Sequence, residues 1–411
     1  MLAGILFSRL IQVGSLTVID SAGHSHRYGT GEPHIVMRLH DRRLHTRFLL
    51  QPSLALGEGY MDGTLTVENA SLYDLVDLLA QNIMLAEQLP ITKFVRKLGY
   101  AVRFLHQRNP IQLARKHVAH HYDLSIDLYR MFLDTDLQYS CAYFPEPTMS
   151  LDQAQRAKQA LIASKLLLAP GQRVLDIGSG WGGLALYLAR QHGVDVTGLT
   201  LSKEQAKVAT ERARQAGLAD RVRFHVRDYR EETGCYDRIV SVGMFEHVGV
   251  RHYGEYFASM KTLLAENGVA LLHTIGRTDI PGSTNPWLRK YIFPGGYSPA
   301  LSEISGAIEP TGLIVADIEI LRLHYATTLA HWRQRFEANR SRAAALFDER
   351  FCRMWEFYLV GSELAFRRMA MVVFQLQIVR DQTAVPLVRD YLWENRPSLP
   401  ADVPPLQSVG E

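Results

Sequence analysis

The sequence is poor in cysteine and has no long apolar run. Its three cysteines, Cys141, Cys235 and Cys352, are isolated among 411 residues, which excludes a disulfide scaffold and a multi-cysteine zinc or iron–sulfur site. No apolar run approaches the ~18 residues that span a bilayer. The apolar first 19 residues contain Arg9 and show no cleavage pattern of a signal peptide. We therefore expect a strand or helix there, and a cytoplasmic protein that is soluble or peripheral on a membrane.

Net charge is also small, at +3 from 45 basic and 42 acidic residues, which excludes a dedicated nucleic-acid binder. The basic excess is N-terminal, because residues 1–120 contain 13 Lys or Arg against 9 Asp or Glu, and acidic residues are absent from 88 to 122. On a helical wheel, one face of this acid-free stretch is apolar and the other carries Lys93, Arg96, Lys97 and Arg103. The pattern predicts a basic amphipathic helix. It either packs on its own domain with a solvated positive face or contacts anionic phospholipid headgroups.

Residues 1–85 have the pattern of a small α/β domain. Strand-like stretches alternate with glycine turns and precede a helical stretch, with strands at 15–20, 35–39 and 45–50, turns at 29–31 and 57–63, and the helix at 72–83. We predict an N-terminal domain over 1–108, a linker over 109–120 that begins at Asn109-Pro110, and a loose Pro-rich tail over 396–411.

From about residue 160 the sequence alternates between strands and helices. Apolar strands are predicted at 173–177, 194–200, 222–227, 238–242, 269–275 and 314–321, and a late apolar run covers 371–379. Helices are predicted to start near Gly182, Ser202 and Tyr253. This alternation predicts a doubly wound sheet of mainly parallel strands.

The first of these strands runs into the glycine-rich turn Gly178-Ser179-Gly180-Trp181-Gly182-Gly183. Glycine permits a tight turn and the close approach of a ligand to the following helix. The string fits the dinucleotide pattern G-x-G-x-x-G and, with Asp176, the acidic-x-G-x-G-x-G pattern of S-adenosylmethionine enzymes. A dinucleotide site also requires a carboxylate about 20 residues later, and residues 198–201 contain none. We therefore predict an S-adenosylmethionine site, with Thr200 and Gln205 replacing the ribose carboxylate and Asp228 accepting from the adenine amine.

Ligands of open α/β sheets bind at the carboxyl ends of the strands, where the sequence places two polar residues. Glu246 follows the fourth strand of the sheet, and His273 lies near the end of the fifth. Each has a structural alternative, since Glu246 could cap the next helix and His273 could be a hydrogen-bonded core residue. Cys141 is a third candidate, although a lone cysteine is usually a small buried apolar residue.

Eight ordered motifs resemble the cyclopropane-fatty-acid synthases and their mycolic-acid relatives. They are His121-Tyr122-Asp123 and the segments 139–144, 175–183, 199–205, 244–249, 271–276, 291–296 and 325–332. The match runs from about residue 118 to 380 and extends more loosely to 57–63. Enzymes of this family transfer a methylene group from S-adenosylmethionine to a cis double bond of an acyl chain in a membrane phospholipid, and are typically dimeric.

The resemblance implies roles for named residues and no metal. The alkene attacks the sulfonium methyl, and the resulting carbocation must lose a proton before water captures it. The family's base is a bound bicarbonate, and the matching positions are Cys141, Glu246, His273, the backbone of Ile275, and Tyr325. Glu246 is expected to accept the bicarbonate hydroxyl, while His273, Tyr325 and the N–H groups of Cys141 and Ile275 donate. The expected cofactor contacts are Tyr139, Ser140, Asp176, Gly178, Gly180, Trp181, Gly182, Thr200, Ser202, Gln205, Asp228 and Tyr229.

Two positions depart from the family's pattern. Relatives usually have a Gly-Asn pair where this chain has Ser125-Ile126, which leaves the conformation of that loop open. Many relatives have a cysteine where Ser362 stands, so a thiol nucleophile is absent there, in agreement with direct transfer. Phe351, Trp355 and Tyr358 form one helical face, which is either ordinary core or the wall of an acyl tunnel.

The sequence thus predicts an α/β protein in which a class I methyltransferase, Rossmann-like doubly wound sheet over 121–395 follows a smaller N-terminal α/β lipid-binding domain. We expect a homodimer at the inner face of the cell membrane, with anionic phospholipid headgroups as partners. The nearest alternative activity makes a 10-methylene or methyl product from the same cation, and water capture would give a hydroxyl. A small-amine N-methyltransferase would need neither the basic helix nor a tunnel. An alternative of another class is a lipid-transfer protein with an inactive catalytic domain.

Overall fold

The structure is a computed structural model that describes residues 4–86 and 125–394. The predicted basic helix with Lys93, Arg96, Lys97 and Arg103, the 109–120 linker, the His121-Tyr122-Asp123 motif and the 396–411 tail lie outside the described residues. In the part of the chain that the structure describes, no helix is both long enough and apolar enough to cross a membrane.

The chain divides into two compact units, neither of which is contiguous in sequence. Among the described residues, the first contains 4–86, Gly282–Pro294 and Leu329–Met371, and the second contains 125–281, Gly295–Thr328 and 372–394. Two segments that the sequence analysis assigned to the catalytic domain, 282–294 and 329–371, are therefore part of the first unit. The predicted linker lies outside the described residues, so the boundary at 109–120 stays a prediction.

The N-terminal part of the first unit is a small sheet covered by helices. Its strands are β1 (Ser15–Ile19), β2 (Ser25–Gly29), β3 (His34–Leu39) and β4 (Leu65–Val67), in the order β2-β1-β3-β4. β1 is antiparallel to β2 and parallel to β3, and β3 is antiparallel to β4. The helices are Gly4–Leu10, Leu44–Leu50, Pro52–Met61 and Leu72–Ala86. Alternate residues of β1 and β3, including Leu16, Val18, Met37 and Leu39, form the buried core.

Two local predictions in this part were wrong. Residues 45–50, predicted as a strand, are helical, because the buried pair Leu44 and Phe48 is spaced by one helical turn. The predicted turn at 57–63 begins inside helix Pro52–Met61, and the chain turns only at Gly63, where φ is 69°. Strand β2 was not predicted, because none of its residues is buried. The strands at 15–20 and 35–39, the helix at 72–83 and a helix within the first 19 residues are confirmed.

The remainder of the first unit is helical and carries the predicted aromatic face. It contains the helices Pro286–Tyr291, Arg340–Leu346 and Glu349–Arg368 and most of His324–Ala338. Phe351 stacks on Trp355 with ring centroids 5.7 Å apart, and Trp355 meets Tyr358 edge-on at 5.2 Å. Trp355 and Tyr358 are buried. The three aromatic rings thus pack against one another in sequence along one helix, and their role as a tunnel wall stays a prediction.

Gly57 provides a stability test within this unit. It lies inside helix Pro52–Met61, where a Cβ would stand 2.4 Å from the indole of the buried Trp287. Alanine normally stabilises a helix interior relative to glycine by ~1 kcal/mol. Because the indole is fully packed, Gly57→Ala should instead lower the free energy of unfolding by about 2 kcal/mol in a urea titration.

The matched control is Gly361→Ala in helix Glu349–Arg368, where a Cβ would meet no atom within 4 Å. This variant should show the ordinary stabilisation of ~1 kcal/mol. A gain of stability in both variants would contradict the packing of Trp287 against Gly57.

The second unit is built around a seven-stranded sheet. The strands are β5 (Arg173–Ile177), β6 (Asp195–Thr200), β7 (Val222–Val226), β8 (Tyr236–Val242), β9 (Leu264–Arg277), β10 (Ile314–Ile320) and β11 (Met371–Val379). Their order is β10-β11-β9-β8-β5-β6-β7. Pairing is parallel from β9 to β7, and β10 is antiparallel to β11. Flanking helices are Ile126–Phe132, Leu151–Leu166, Gly183–His192, Lys203–Gln215, Tyr253–Leu263, Leu301–Ile308 and Tyr391–Glu394.

This architecture confirms the predicted doubly wound α/β sheet. Each of the six predicted strands and the 371–379 run is a strand, and the helices predicted near Gly182, Ser202 and Tyr253 begin at Gly183, Lys203 and Tyr253. β5 lies between β6 and β8, where the winding of the sheet changes direction. Ligands of such sheets bind at the carboxyl ends of the strands around that point. We therefore expect the ligand site at the turn after β5 and at the ends of β8 and β9.

Candidate active site

The glycine turn after β5 requires glycine for two different physical reasons. Gly178, Gly180 and Gly182 have φ values of 88°, 53° and 85°, in the left-handed region that other residues rarely adopt. A Cβ would stand 2.7 Å from Met244 at Gly178 and 2.7 Å from Phe224 at Gly182, so those positions are closed by the protein itself. At Gly180 a Cβ would meet no atom within 4 Å. The turn thus leaves open space at its centre, where a ligand can approach the backbone.

Asp176, at the end of β5, is a buried carboxyl group beside this turn. Its Oδ2 has no hydrogen-bond partner among the described residues. Burial raises the pKa of Asp176 to about 7, and the nearby Lys158 ammonium opposes that shift. The Nε1 of Trp181, within the turn, is likewise buried without a partner in the described part of the chain. A donor and an acceptor therefore remain to be satisfied by a polar ligand.

Lys158 is a buried ammonium that the sequence analysis missed. It lies on helix Leu151–Leu166 and donates to Gln138 Oε1 (2.7 Å) and Ser140 Oγ (2.8 Å). Gln155 Nε2 donates to the Ser140 carbonyl (3.0 Å), which fixes the same loop. Burial lowers the pKa of Lys158, whereas the carboxyl groups of Asp134 and Asp176 raise it. These contacts anchor Ser140, a predicted cofactor contact, and place a positive charge near Asp176.

The predicted ribose residues form one hydrogen-bonded group after β6. Thr200 donates to Gln205 Oε1 (2.7 Å) and accepts from the Ser202 N–H (3.2 Å). Ser202 caps helix Lys203–Gln215 by accepting from the Gln205 N–H (3.2 Å). All three residues are buried. The prediction that Gln205 and Thr200 act together is thus consistent with their direct contact.

Asp228 and Tyr229 follow β7. The Asp228 carboxylate accepts two hydrogen bonds from the Arg230 guanidinium, at 2.8 Å each, and is buried. Tyr229 packs edge-on against Tyr256 at 5.3 Å. The paired guanidinium keeps Asp228 rigid, and the assignment of Asp228 to the adenine amine stays a prediction.

These groups fit S-adenosylmethionine. The turn is open at Gly180, which allows a ligand to approach the backbone closely. Asp176 Oδ2 is an unpartnered acceptor among the described residues, and the Thr200–Gln205 pair provides polar side chains after β6. They correspond to what the cofactor's methionine and ribose parts require of this fold.

Glu246 occupies a buried 3₁₀ turn, Phe245–His247, just after β8. Its Oε1 accepts from the Ile275 N–H (2.6 Å), and its Oε2 has no partner among the described residues. Burial raises the pKa of Glu246 to about 7, against the lowering effects of the Ile275 N–H, its own N–H and the Thr274 hydroxyl. The alternative that Glu246 caps the next helix is not observed, since helix Tyr253–Leu263 has His252 at its N-cap. Two predicted site residues are therefore in direct contact, and this N–H would have to be shared with any bound anion.

His273 lies on β9 beside the end of β8. It pairs in register with Val242, and its carbonyl accepts from the Gly243 N–H (2.9 Å), three residues before Glu246. Its Nδ1 is 3.0 Å from Gln375 Nε2. Burial, and then the positive charges of Lys158 and Lys165, hold the pKa of His273 well below its usual range. His273 is therefore a neutral imidazole near the carboxyl end of the sheet.

The loop of Cys141 and the helix of Tyr325 are joined by hydrogen bonds from backbone N–H groups of the loop to side chains of the helix. The Ala142 N–H donates to Thr328 Oγ1 (3.0 Å), and the Phe144 N–H donates to His324 Nδ1 (3.0 Å). Cys141 and Tyr325 are both buried. Burial raises the pKa of the Cys141 thiol far above its usual range, so the sulfur is not a thiolate nucleophile. The role of the Cys141 N–H as a neutral donor stays a prediction.

Ser125, one of the two departures from the family pattern, has a defined role. Its Oγ accepts from the Asp127 N–H (3.2 Å) and caps helix Ile126–Phe132. Tyr129 of that helix packs edge-on against Tyr139 at 5.4 Å and lies 5.7 Å from the Trp181 ring. The helix therefore supports two predicted cofactor contacts.

The comparisons with known proteins agree on one family. A family model for mycolic acid cyclopropane synthetase matches residues 110–376, and a domain family of unknown function matches residues 7–86. The cyclopropane-fatty-acyl-phospholipid synthase of Escherichia coli strain K12 is 40% identical over 336 residues, which cover 81% of this chain and 85% of that protein. A probable fatty acid methyltransferase of Pseudomonas putida is 43% identical over 258 residues, which cover 61% of this chain and 66% of that protein.

A solved structure shares the fold of about two thirds of the chain. The mycolic acid cyclopropane synthase complexed with SAH and CTAB has 34% sequence identity and a TM-score of 0.62, and the match covers 66% of this chain and 99% of that one. The family match spans each of the site residues predicted from sequence.

Proposed function

The chain belongs to the mycolic acid cyclopropane synthetase family, and from that premise we propose that it adds a methylene group to the cis double bond of unsaturated acyl chains in membrane phospholipids. As a family member it is an S-adenosylmethionine-dependent methyltransferase that modifies lipids. The observation that carries the finer proposal is the buried Glu246, which has one oxygen held by the Ile275 N–H and the other without a partner in the described residues.

The chemistry explains why such a group is needed. When bound, S-adenosylmethionine supplies an electrophilic methyl group on a sulfonium. After the alkene has taken up that methyl group, closing the cyclopropane ring requires the loss of one of its three protons. An acceptor for that proton has to be held away from bulk water, because water would capture the cation as an alcohol. Glu246 and His273 are both buried, which satisfies that requirement.

Bicarbonate is the base that the family resemblance suggests, and we propose it here. Bound near Glu246, it would supply a small proton acceptor that fits beside an acyl chain. Glu246 Oε2 would accept its hydroxyl, and His273 and Tyr325 would donate to its remaining oxygens, with the N–H of Cys141 adding a neutral donor. A carboxylate and an anion repel each other in direct contact unless one of them carries a proton that both can share. The raised pKa of Glu246, near 7, favours sharing of the bicarbonate proton.

A second candidate product is supported by the relatives that are named fatty acid methyltransferases. The Pseudomonas putida relative is named a probable fatty acid methyltransferase and is 43% identical to this chain. A 10-methylene or methyl product would use the same cation and the same Asp176, Glu246 and His273. The cyclopropane product is preferred because the Escherichia coli synthase matches 81% of this chain.

The membrane surface and a second copy of the chain are the proposed partners. Both proposals come from the sequence, since the basic stretch with Lys93, Arg96, Lys97 and Arg103 lies outside the described residues. The substrate itself provides the physical reason for a membrane partner, because phospholipid acyl chains are reached from a bilayer.

Vesicles of an unsaturated phospholipid test the proposed function. With S-adenosylmethionine and the full chain, we expect unsaturated acyl chains to gain the mass of one CH2, and faster on vesicles that contain anionic lipid. Saturated vesicles are the matched control and should not change. Unsaturated lipids of unchanged mass, in the presence of protein that binds S-adenosylmethionine by calorimetry, would contradict the proposal and favour a lipid-transfer role.

A further inference from the structure

A chain of polar side chains leads from β10 to His273. Lys165, on helix Leu151–Leu166, is ion-paired with Glu319 and donates to Gln375 Oε1 (2.7 Å). Gln375 Nε2 in turn lies 3.0 Å from His273 Nδ1. Glu319 and Gln375 are direct partners in the antiparallel β10–β11 ladder. The side chains of Lys165, Gln375 and His273 are each at most 2% exposed, so the network is buried up to Glu319.

The ammonium group determines the direction of every hydrogen bond in this network. Lysine has donors and no acceptor, so the oxygen of Gln375 must face Lys165 and its nitrogen must face His273. An amide nitrogen is only a donor, so His273 Nδ1 must accept and carries no proton. Because His273 is a neutral imidazole, its single proton is on Nε2.

The position of this proton matters for an anion site. With the proton on Nε2, the ring nitrogen that Gln375 does not contact is a hydrogen-bond donor. With the proton on Nδ1, the same nitrogen would present a lone pair to an incoming anion and repel it. Burying a lysine also costs desolvation free energy, and the fold would be no less stable with an apolar residue of similar volume at that position. The network is thus better explained by the orientation of His273 than by stability.

We propose that Gln375, oriented by Lys165 and Glu319, is a positioning residue that holds His273 as an Nε2–H donor for an oxyanion bound beside Glu246. The identity of that oxyanion rests on the proposed function. The orientation of His273 does not, because it follows from the contacts of Lys165 and Gln375 alone.

Nitrogen NMR of the ¹⁵N-histidine-labelled full chain measures the tautomer without any lipid. A His273→Gln variant assigns the resonance among the 16 histidines. We expect the wild-type His273 to have a protonated Nε2 and an unprotonated Nδ1. In Gln375→Glu the carboxylate accepts from the ring, so a proton should appear on Nδ1 while the contact with Lys165 is kept. A wild-type proton on Nδ1, or a Gln375→Glu spectrum identical to the wild type, would overturn the proposal.

Gln377 provides the matched control for kinetics. It lies two residues along β11, is equally buried, donates to the Lys165 carbonyl (2.6 Å) and accepts from Tyr391 (3.0 Å), without contacting His273. Gln375→Leu should lower kcat by roughly 10–100-fold and leave the KM for S-adenosylmethionine within about twofold. Gln377→Leu should lower thermal stability to a similar degree and leave the His273 resonance unchanged. An equal loss of kcat in both variants would show a merely structural role and reject the proposal.

The two measurements separate this inference from the proposed function. A chain that shows tautomer control by Gln375 but adds no CH2 to lipids would support the positioning role and reject the activity. A chain that modifies lipids while His273 carries its proton on Nδ1 would support the activity and reject the positioning role.

Discussion

Glu246→Gln should lower turnover on phospholipid vesicles at least ~100-fold, the scale of losing a positioned catalytic group. Glutamine keeps the shape of the side chain and an oxygen that can accept from the Ile275 N–H (2.6 Å in the wild type). It replaces Oε2, the oxygen proposed to accept the bicarbonate hydroxyl, with an amide nitrogen that can only donate. Binding of S-adenosylmethionine, measured by calorimetry, should change less than about threefold. Near-normal turnover would remove Glu246 from the mechanism.

Bicarbonate depletion gives the matching control for this variant. In carbonate-free buffer the wild-type rate should fall and recover when bicarbonate is added. The residual rate of Glu246→Gln should not respond, because the group that orients the anion is gone. An equal response of both proteins would show that bicarbonate acts elsewhere.

The same variant should be more stable than the wild type at alkaline pH. Burial raises the pKa of Glu246 to about 7 in the folded chain, above the usual ~4.3 of the unfolded chain. Between those values the folded state retains a proton that the unfolded state releases, so the wild-type free energy of unfolding falls as pH rises through this window. Glutamine has no such proton. The variant should therefore gain at least ~1 kcal/mol at about pH 8 and nothing below about pH 4.

Gly180→Ala should weaken S-adenosylmethionine binding about 100-fold. The added methyl group occupies the open centre of the glycine turn, where no protein atom lies within 4 Å and where we predict that the ligand approaches the backbone. Calorimetry on the full chain measures the affinity. The left-handed φ of 53° also adds roughly 1–2 kcal/mol of strain to the folded state.

Gly217→Ala separates that strain from the loss of ligand space. Gly217 has a φ of 67°, also has no atom within 4 Å of a built Cβ, and follows helix Lys203–Gln215 away from the turn. Both variants should lose similar thermal stability, and only Gly180→Ala should lose affinity. Wild-type affinity in Gly180→Ala would mean that the cofactor does not contact the centre of the turn.

The local pattern of apolar residues was enough to predict the seven-stranded sheet of the second unit. It was not enough to predict the four-stranded sheet of the first unit. Strands β5, β8 and β9 are buried on both faces and are therefore rich in apolar residues, with few polar ones between them. Residues 44–50 are a short stretch of mixed apolar and polar residues whose period is ambiguous, and β2 has no buried residue at all. The assignment of 282–294 and 329–371 to the first unit depends on packing between distant segments, which no local pattern contains.

Some residues of the candidate site could be predicted from local sequence and others could not. Asp176, Gly180, Glu246 and His273 could be predicted because a turn motif and strand ends place them. Lys158 and Lys165 could not, because a lysine on a helix is usually solvated. Their spacing was nevertheless a signal, since both lie on the buried stripe of helix Leu151–Leu166 that also contains Leu151, Ala154 and Ile162. Gln375 lies within an apolar strand, and its role follows only from its contacts with Lys165 and His273.

Transfer of a trideuterated methyl group tests the central claim most directly. The full chain is incubated with S-adenosylmethionine labelled with CD3 and with vesicles of a monounsaturated phospholipid, and the product is examined by mass spectrometry and proton NMR. Cyclopropanation predicts that two of the three deuterons are retained, that the alkene protons disappear and that upfield ring protons appear. Retention of all three deuterons, or the appearance of an exocyclic alkene in place of a ring, would contradict the account.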